Sequence, residues 1–276
     1  MPFQRKSLTT VGIVGFGAFG ALVARHLAPH CRVLAFDLEP REAEGVAVTF
    51  CDMPTVARCD VLVLAVPVSA LADAVRALRP HLRPGTIVID VGSVKIEPVR
   101  VMLEELPPHV EIIGSHPLFG PQSAKDGVAG HRIAWCPVRG SRRGRSAGRI
   151  AAFLRRVLRL DVIRTTPDTH DREMAVVQGL THLVAKVLVR MEPLPSRMAT
   201  RSFELILQAA NMVRHDAPGV YEAIERANPH AAAVRERFFA LADEVRGALD
   251  GSQQNPTPAA EPEQAELAPP LSVAAY

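Results

Sequence analysis

The sequence of 276 residues is poor in the features that mark several classes of protein. Its net charge is only +3, from 32 basic and 29 acidic residues, which is too small to indicate a nucleic acid or membrane-surface partner. No apolar run approaches the roughly 18 residues that a membrane-spanning helix needs. The four cysteines form no Cys-x-x-Cys pair and have no histidine at zinc-finger spacing. We therefore expect a cytoplasmic protein with reduced thiols and no bound metal.

Hydrophobic residues make up 48% of the chain, which is enough for a sizeable core, and the length predicts about two domains. The first part alternates short β-branched segments with helical segments, which is typical of βαβ units and a mostly parallel sheet. The predicted strands are residues 11–14, 32–36, 61–66, 86–91, 110–113, 132–137 and 161–165. The predicted helices between them are residues 18–28, 69–78, 97–106 and 146–160.

Beyond residue 165 the pattern is helical only, with prolines between the segments. These helical segments are residues 168–192, 197–215, 219–227 and 229–249. The fold class we predict is therefore α/β, with an N-terminal domain over residues 1–165 and an all-helical domain over residues 166–250. Residues 251–276 are rich in proline and alanine and have no basic residue, so they are predicted to form a disordered tail.

A glycine-rich segment follows the first predicted strand and opens the first helix. It matches the pattern G-x-G-x-x-G, with residues Gly15, Phe16, Gly17, Ala18, Phe19 and Gly20. In this context the first glycine permits a tight turn, the second lets the backbone approach a pyrophosphate, and the third lets the helix pack on the strand. The N–H groups at the helix start attract phosphate. These six residues predict a Rossmann-type dinucleotide-binding domain.

An acidic residue at the end of the second predicted strand indicates which dinucleotide is bound. Asp37 lies about 20 residues beyond Gly17, where a carboxylate accepts hydrogen bonds from the adenosine ribose. It also repels a 2′-phosphate, so NAD is favoured over NADP, and the nearby Arg41 softens that preference. In an open α/β sheet the ligand binds beyond the carboxyl ends of the strands. We therefore add the strand-end residues Ala65, Val66, Pro67 and Ser93 to the predicted cofactor site.

Three further motifs accompany this fingerprint. They are Asp90-Val91-Gly92-Ser93-Val94-Lys95, the run Ser-His-Pro-Leu-Phe-Gly-Pro at residues 115–121, and His170-Asp171 followed by residues 174–182. Over residues 10–248 the chain resembles the prephenate/arogenate dehydrogenase family of tyrosine biosynthesis. The resemblance implies NAD-dependent oxidative decarboxylation of prephenate to 4-hydroxyphenylpyruvate, or of L-arogenate to tyrosine. It also implies that the helical domain supplies the rest of the substrate pocket and the interface of a homodimer.

The resemblance assigns roles to particular residues. His116 is the base that hydrogen-bonds the substrate hydroxyl, a role suited to a side chain that titrates near neutrality. Ser93 orients that histidine and lies near the nicotinamide, and Ser115 is expected to contact substrate. Arg201 is expected to hold a substrate carboxylate, although Arg197 and Arg214 compete for this role. This cation favours prephenate over L-arogenate.

One helix carries further substrate-binding candidates. Met174, Gln178, His182 and Lys186 are spaced four residues apart and therefore form one stripe along the helix. Gln178 and His182 are polar among apolar neighbours, which predicts that they face a polar ligand.

Two other interpretations remain open. A β-hydroxyacid dehydrogenase shares this architecture and uses a lysine with an asparagine four residues later. Lys186 lies on the appropriate helix, but position 190 is arginine, and His116 would have no role. The second alternative is a catalytically inactive NAD-binding sensor, although His116 and Ser93 are both present.

Overall fold

A computed structural model of the protein describes residues 9–140 and 146–251. Within these residues one sheet has the strand order β3-β2-β1-β4-β5-β6-β7-β8. The strands are β1 (Thr10–Val14), β2 (Arg32–Phe36), β3 (Val48–Phe50), β4 (Val61–Leu64), β5 (Ile87–Asp90), β6 (Glu111–Pro117), β7 (Arg132–Arg139) and β8 (Asp161–Arg164). All neighbours pair in parallel except β6 and β7, which are antiparallel.

The centre of the sheet consists of apolar strands because helices cover both of its faces. All four residues of β4 are buried. The strand order reverses between β1 and β4, so the carboxyl ends of these two strands form the crevice in which an open α/β sheet binds its ligand.

The helices within the described residues follow the sheet crossovers and then fill the rest of the chain. They are α1 (Ala18–Leu27), α2 (Met53–Val56), α3 (Leu71–Leu78), α4 (Ile96–Glu105), α5 (Ser146–Arg156), α6 (Pro167–Arg190), α7 (Arg201–Val213), α8 (Pro218–Glu222) and α9 (Ala231–Leu249). A π-helical turn, Ala223–Ala227, continues α8. The long helix α6 begins where Thr166 accepts a hydrogen bond from the N–H of Thr169, with Pro167 in the first turn.

The predicted fold class is confirmed, because a mostly parallel sheet is followed only by helices after β8. Two short elements, β3 and α2, were not predicted, since three or four residues carry too little periodicity to be recognised. The sixth strand also continues to Pro117 instead of ending at residue 113. The reason is the antiparallel partner β7, whose Ala134 and Ile133 pair with His116 and Pro117. His116 therefore lies inside a strand.

Contacts between residues divide the chain after Arg235. The larger unit has the sheet, α1 to α8 and the first residues of α9, and the smaller unit runs from Glu236 onward. The described part of the smaller unit, residues 236–251, contains the remainder of α9, in which Arg246 pairs with Asp243 at 2.8 Å. The domain boundary at residue 165 stays a prediction. The predicted tail lies outside the described residues apart from residue 251. No helix in the described ranges is long and apolar enough to cross a membrane.

Candidate active site

The glycine loop between β1 and α1 is crowded at its first and third glycines and open at the second. Gly15 has a φ of +92°, and a Cβ there would lie 2.6 Å from the carbonyl oxygen of Ala65. A Cβ at Gly20 would overlap the carbonyl oxygen of Gly15. At Gly17 a Cβ would meet no atom within 4 Å. The open space at Gly17, above a helix N-terminus, fits the approach of a dinucleotide pyrophosphate.

Asp37 lies directly beside this loop, at the end of β2. Its Oδ2 accepts the N–H of Phe16 at 2.6 Å, and its Oδ1 accepts the N–H of Glu39 at 3.0 Å. Burial alone would raise the pKa of this carboxyl. The two N–H groups and the Arg41 guanidinium, 3.6 Å from Oδ1, outweigh burial and lower the pKa. An ionised carboxylate with lone pairs to spare therefore stands where a ribose hydroxyl would be bound.

His116 is connected to a second histidine and a carboxylate in the neighbouring helix. His116 is 4% exposed, and its Nδ1 lies 2.9 Å from Nε2 of His170. Nδ1 of His170 lies 2.7 Å from Oδ1 of Asp171. Asp171 also accepts the backbone N–H groups of Lys95 at 2.7 Å and Ile96 at 2.8 Å, at the start of α4. The row His116–His170–Asp171 thus links β6 to α6 and to the N-terminus of α4.

The hydrogen bonds in this row determine where the protons lie. An ionised carboxylate only accepts, so His170 donates its Nδ1–H to Asp171. In a neutral ring, Nε2 of His170 is then an acceptor and receives the Nδ1–H of His116. The remaining Nε2 of His116 then carries a lone pair, and it accepts a long hydrogen bond of 3.5 Å from the side-chain N–H of Gln178. The arrangement makes Nε2 of His116 a proton acceptor.

The surroundings also keep His116 neutral. Burial, followed by the nearby His170 and Lys95, lowers the pKa of His116 well below its usual value. The Lys95 side chain is completely buried, and its ammonium donates to Asp90 Oδ1 and, at 2.6 Å, to the carbonyl oxygen of Ser115. Burial, opposed by Lys95, raises the pKa of Asp90. This ion pair holds the end of β5 against the segment of β6 that carries His116.

The side chains of the two predicted serines make no hydrogen bond to His116 within the described residues. The hydroxyl of Ser115 donates to the carbonyl oxygen of Asp90 at 2.7 Å, and the residue is 1% exposed. Ser93 lies in the turn between β5 and α4 and makes no hydrogen bond to His116 in the described ranges, where His170 is the partner instead. The substrate-binding role of Ser115 and the orienting role of Ser93 stay predictions.

The predicted stripe on α6 leads away from His116. His182 donates its Nδ1–H to the carbonyl oxygen of Gln178 at 2.9 Å, and its Nε2 lies 3.3 Å from Oδ2 of Asp216. The ring of His182 lies 6.3 Å from that of Tyr221, and the Lys186 ammonium lies 5.0 Å from the Tyr221 ring centre. A mixed polar cluster therefore follows Gln178 by one to two helical turns.

Arg201 is not brought to this cluster. Its side chain is 71% exposed at the start of α7 and pairs with Glu204 at 3.2 Å. The competing Arg214 pairs with Glu192 at 2.8 Å. Lys186, a member of the α6 stripe, instead places its ammonium in the cluster, beside Tyr221. In the part of the chain that the structure describes, Arg201 has no hydrogen bond or ion pair with His116, Gln178 or His182. Its carboxylate-binding role stays a prediction.

The family is decided by comparison with known proteins. Residues 23–139 match the nucleotide-binding domain model of prephenate dehydrogenase, and residues 166–257 match the dimerization domain model of the same enzyme. The chain belongs to the prephenate dehydrogenase family. It is 26% identical to a probable arogenate/prephenate dehydrogenase of Methanocaldococcus jannaschii over 73% of this chain and 46% of the relative. It therefore spans less than half the length of that relative.

Two further similarities cover most of the chain. The chain is 27% identical to 4-amino-4-deoxyprephenate dehydrogenase of Streptomyces pristinaespiralis, over 88% of this chain and 83% of the relative. The crystal structure of prephenate dehydrogenase from A. aeolicus, in complex with hydroxyphenyl propionate and NAD+, superposes with a TM-score of 0.70 at 20% identity. That comparison covers 90% of this chain and 93% of the other, and it shows a shared fold.

Within the segment that matches the dimerization domain, α6 exposes apolar side chains on one side. Val176 is 47% exposed, Val177 58%, and Val187 50%. On α7, Leu205 and Ile206 are similarly exposed. Exposed aliphatic residues on two neighbouring helices are typical of a surface that associates with another chain.

A cavity of about 580 Å³ lies on the other face of the sheet, between α1 and α5. Ser115 lines it and His116 does not, as expected because successive residues of a strand point to opposite faces. Its walls are mainly aliphatic and aromatic. It is therefore separate from the proton-accepting atom of His116.

Proposed function

We propose that this protein catalyses the NAD-dependent oxidative decarboxylation of prephenate, with L-arogenate as the alternative substrate. The observation that carries the proposal is the buried His116, whose Nε2 lone pair faces Gln178. The Oε1 atom of Gln178 is also buried without a partner in the described residues. A substrate hydroxyl would donate its hydrogen bond to Nε2 of His116. A neighbouring donor group of the substrate would satisfy the unpaired Oε1 of Gln178.

The cofactor would be held by the glycine loop and the strand ends beside it. Gly17 leaves room for the pyrophosphate, Asp37 would accept the ribose hydroxyls, and Ala65-Val66-Pro67 would form the wall after β4. When bound, NAD+ supplies the acceptor for the hydride of the ring carbinol carbon. A carboxylate at Asp37 disfavours a 2′-phosphate, so NADP is the weaker cofactor.

The proton chemistry falls to His116. As the carbinol carbon loses its hydride, Nε2 of His116 accepts the hydroxyl proton, which leaves a carbonyl group. The electron pair of the ring carbon–carboxylate bond then moves into the ring, and carbon dioxide leaves. The ring becomes aromatic, and the aryl oxygen takes its proton back from Nε2 of His116. The histidine is therefore restored in each turnover.

The rest of the substrate would lie along α6. Gln178 would contact the ring hydroxyl region, while the ammonium of Lys186 supplies the donors that a carboxylate side chain needs. Prephenate is a dianion, and these donors favour it. Asp216 next to His182 is the feature that would favour the ammonium group of L-arogenate, so both compounds enter the test. We further propose that the exposed valines of α6 form a homodimer interface.

The test is NADH formation by the purified protein with prephenate, L-arogenate or 4-amino-4-deoxyprephenate, each with NAD+ and with NADP+. We expect NADH with prephenate. Turnover only with NADP+ would contradict the role of Asp37. A folded protein that binds NAD+ but oxidises none of the three compounds would favour the sensor. Oxidation of a β-hydroxyacid instead, lost in Lys186→Met, would favour the β-hydroxyacid dehydrogenase.

A further inference from the structure

The charges around His116 raise the question of where the abstracted proton is held. Burial, His170 and Lys95 all oppose a positive charge on His116. The neighbouring ionisable groups include Asp171, which is part of the row, together with Asp90 on β5 and Cys136 on β7. Burial raises the pKa of Cys136 to about 12, so it remains a neutral thiol. Among these groups, Asp171 is the carboxylate in contact with the histidine row.

The geometry supplies a path from His116 to that carboxylate. His116 Nδ1 and His170 Nε2 are 2.9 Å apart, and His170 Nδ1 and Asp171 Oδ1 are 2.7 Å apart. Both distances are those of a normal hydrogen bond. His170 is 3% exposed and Asp171 is fully buried, so bulk water does not compete along this path.

Building on the proposed function, we propose that the proton taken from the substrate is held on His170 and not on His116. As the hydroxyl O–H bond breaks, a new N–H bond forms at Nε2 of His116. In the same step the Nδ1–H bond of His116 breaks, and its proton forms an N–H bond at Nε2 of His170. His116 becomes the neutral Nε2–H tautomer, and His170 becomes an imidazolium in contact with Asp171. Both transfers reverse when the aryl oxygen is reprotonated.

This role goes beyond orientation of the base. His170 is a positioning residue for His116 in the resting protein and becomes the proton carrier during turnover. The positive charge then lies against the Asp171 carboxylate, which the N-terminus of α4 stabilises through two N–H groups. A glutamine at position 170 retains one acceptor and one donor but cannot carry the proton. Orientation and proton transfer are therefore separable by substitution.

The experiment compares wild type with His170→Gln and His170→Ala, using the full-length protein. His230→Gln is the matched control, because His230 also bonds a carboxylate (Asp168, at 3.0 Å) but lies at the surface. We expect kcat to fall about 10²-fold in both His170 variants, with unchanged NAD+ affinity and KM, and no loss in His230→Gln. In mixtures of light and heavy water, the rate of wild type should depend non-linearly on deuterium content, since two protons move together. Wild-type activity in His170→Gln would overturn the proposal.

A second measurement does not depend on turnover. Nitrogen-15 NMR of the histidine rings in the substrate-free protein reports which ring nitrogen is protonated. We expect Nδ1–H for both His116 and His170, and loss of the His116 Nδ1 hydrogen bond in His170→Ala. An Nε2–H tautomer of His116 would overturn the relay even in an active enzyme. A wild type with the expected tautomers that turns over none of the substrates would overturn the proposed function instead.

Discussion

The buried ion pair of Lys95 and Asp90 gives a prediction that depends only on the fold. The two side chains are 0% and 2% exposed, and Oδ2 of Asp90 has no partner in the described residues. Lys95→Met would leave the carboxylate buried without its counter-ion. Removing one partner of a buried pair costs about 3–5 kcal/mol. Asp90→Asn would leave the ammonium buried in the same way, with a similar loss.

The double variant Asp90→Asn/Lys95→Met removes both charges. Its remaining defect is the lost donor to the carbonyl oxygen of Ser115, which costs about 1–3 kcal/mol. The double variant should therefore be more stable than either single variant, although simple addition would make it the least stable. Urea unfolding of all four proteins, followed by circular dichroism at neutral pH, measures this directly. Losses that add would refute the importance of the pair. If a single variant fails to fold, a double variant that folds would still support the importance of the pair.

Three further predictions concern the cofactor loop and the base. Burial lowers the pKa of His116 in the folded state. As the pH falls below about 6.5, the histidine of the unfolded chain therefore takes up a proton before that of the folded protein. Below that pH the free energy of unfolding should fall by about 1.4 kcal/mol per pH unit. In His116→Asn that part of the acid sensitivity should vanish, and parallel urea midpoints for the two proteins at each pH would contradict it. Asp37→Ala should weaken NAD+ binding about 10-fold and reduce the preference for NAD+ over NADP+, as measured by calorimetry. An unchanged ratio of the two affinities would show that Asp37 does not contact the cofactor. Gly20→Ala should destabilise the fold by about 1–3 kcal/mol, because its Cβ would overlap the backbone. Gly17→Ala should leave the unfolding temperature unchanged and weaken NAD+ binding. Equal unfolding temperatures for the two variants would contradict the loop geometry.

The sheet and the glycine loop were predictable because their signals are local. Apolar strands alternate with helical segments, and the spacing of Gly15, Gly17 and Gly20 follows from what a turn, a phosphate and a helix contact each require. The end of β6 was not predictable in the same way. Gly114 to Pro117 has the composition of a turn, and the pairing with β7 that makes it a strand depends on residues further along the chain.

The proton row also depends on distant residues. His116 and His170 are separated by 54 positions, and no local pattern shows that β6 and α6 bring their rings together. The sequence did show the adjacent pair His170-Asp171 near the start of a helix. A histidine and an aspartate at that position are as typical of an ordinary helix N-terminus as of a proton-transfer pair. Lys186 was visible on the α6 stripe, but its position beside Tyr221 required the fold of the helical part.

Nε2 of His116 is the atom that we propose accepts the substrate proton. The most direct measurement is the rate of NADH formation by His116→Asn with the substrate that wild type oxidises, alongside calorimetric binding of NAD+ to both proteins. We expect a loss of about 10²- to 10⁴-fold in kcat with unchanged NAD+ affinity. A His116→Asn protein that forms NADH at the wild-type rate would contradict it.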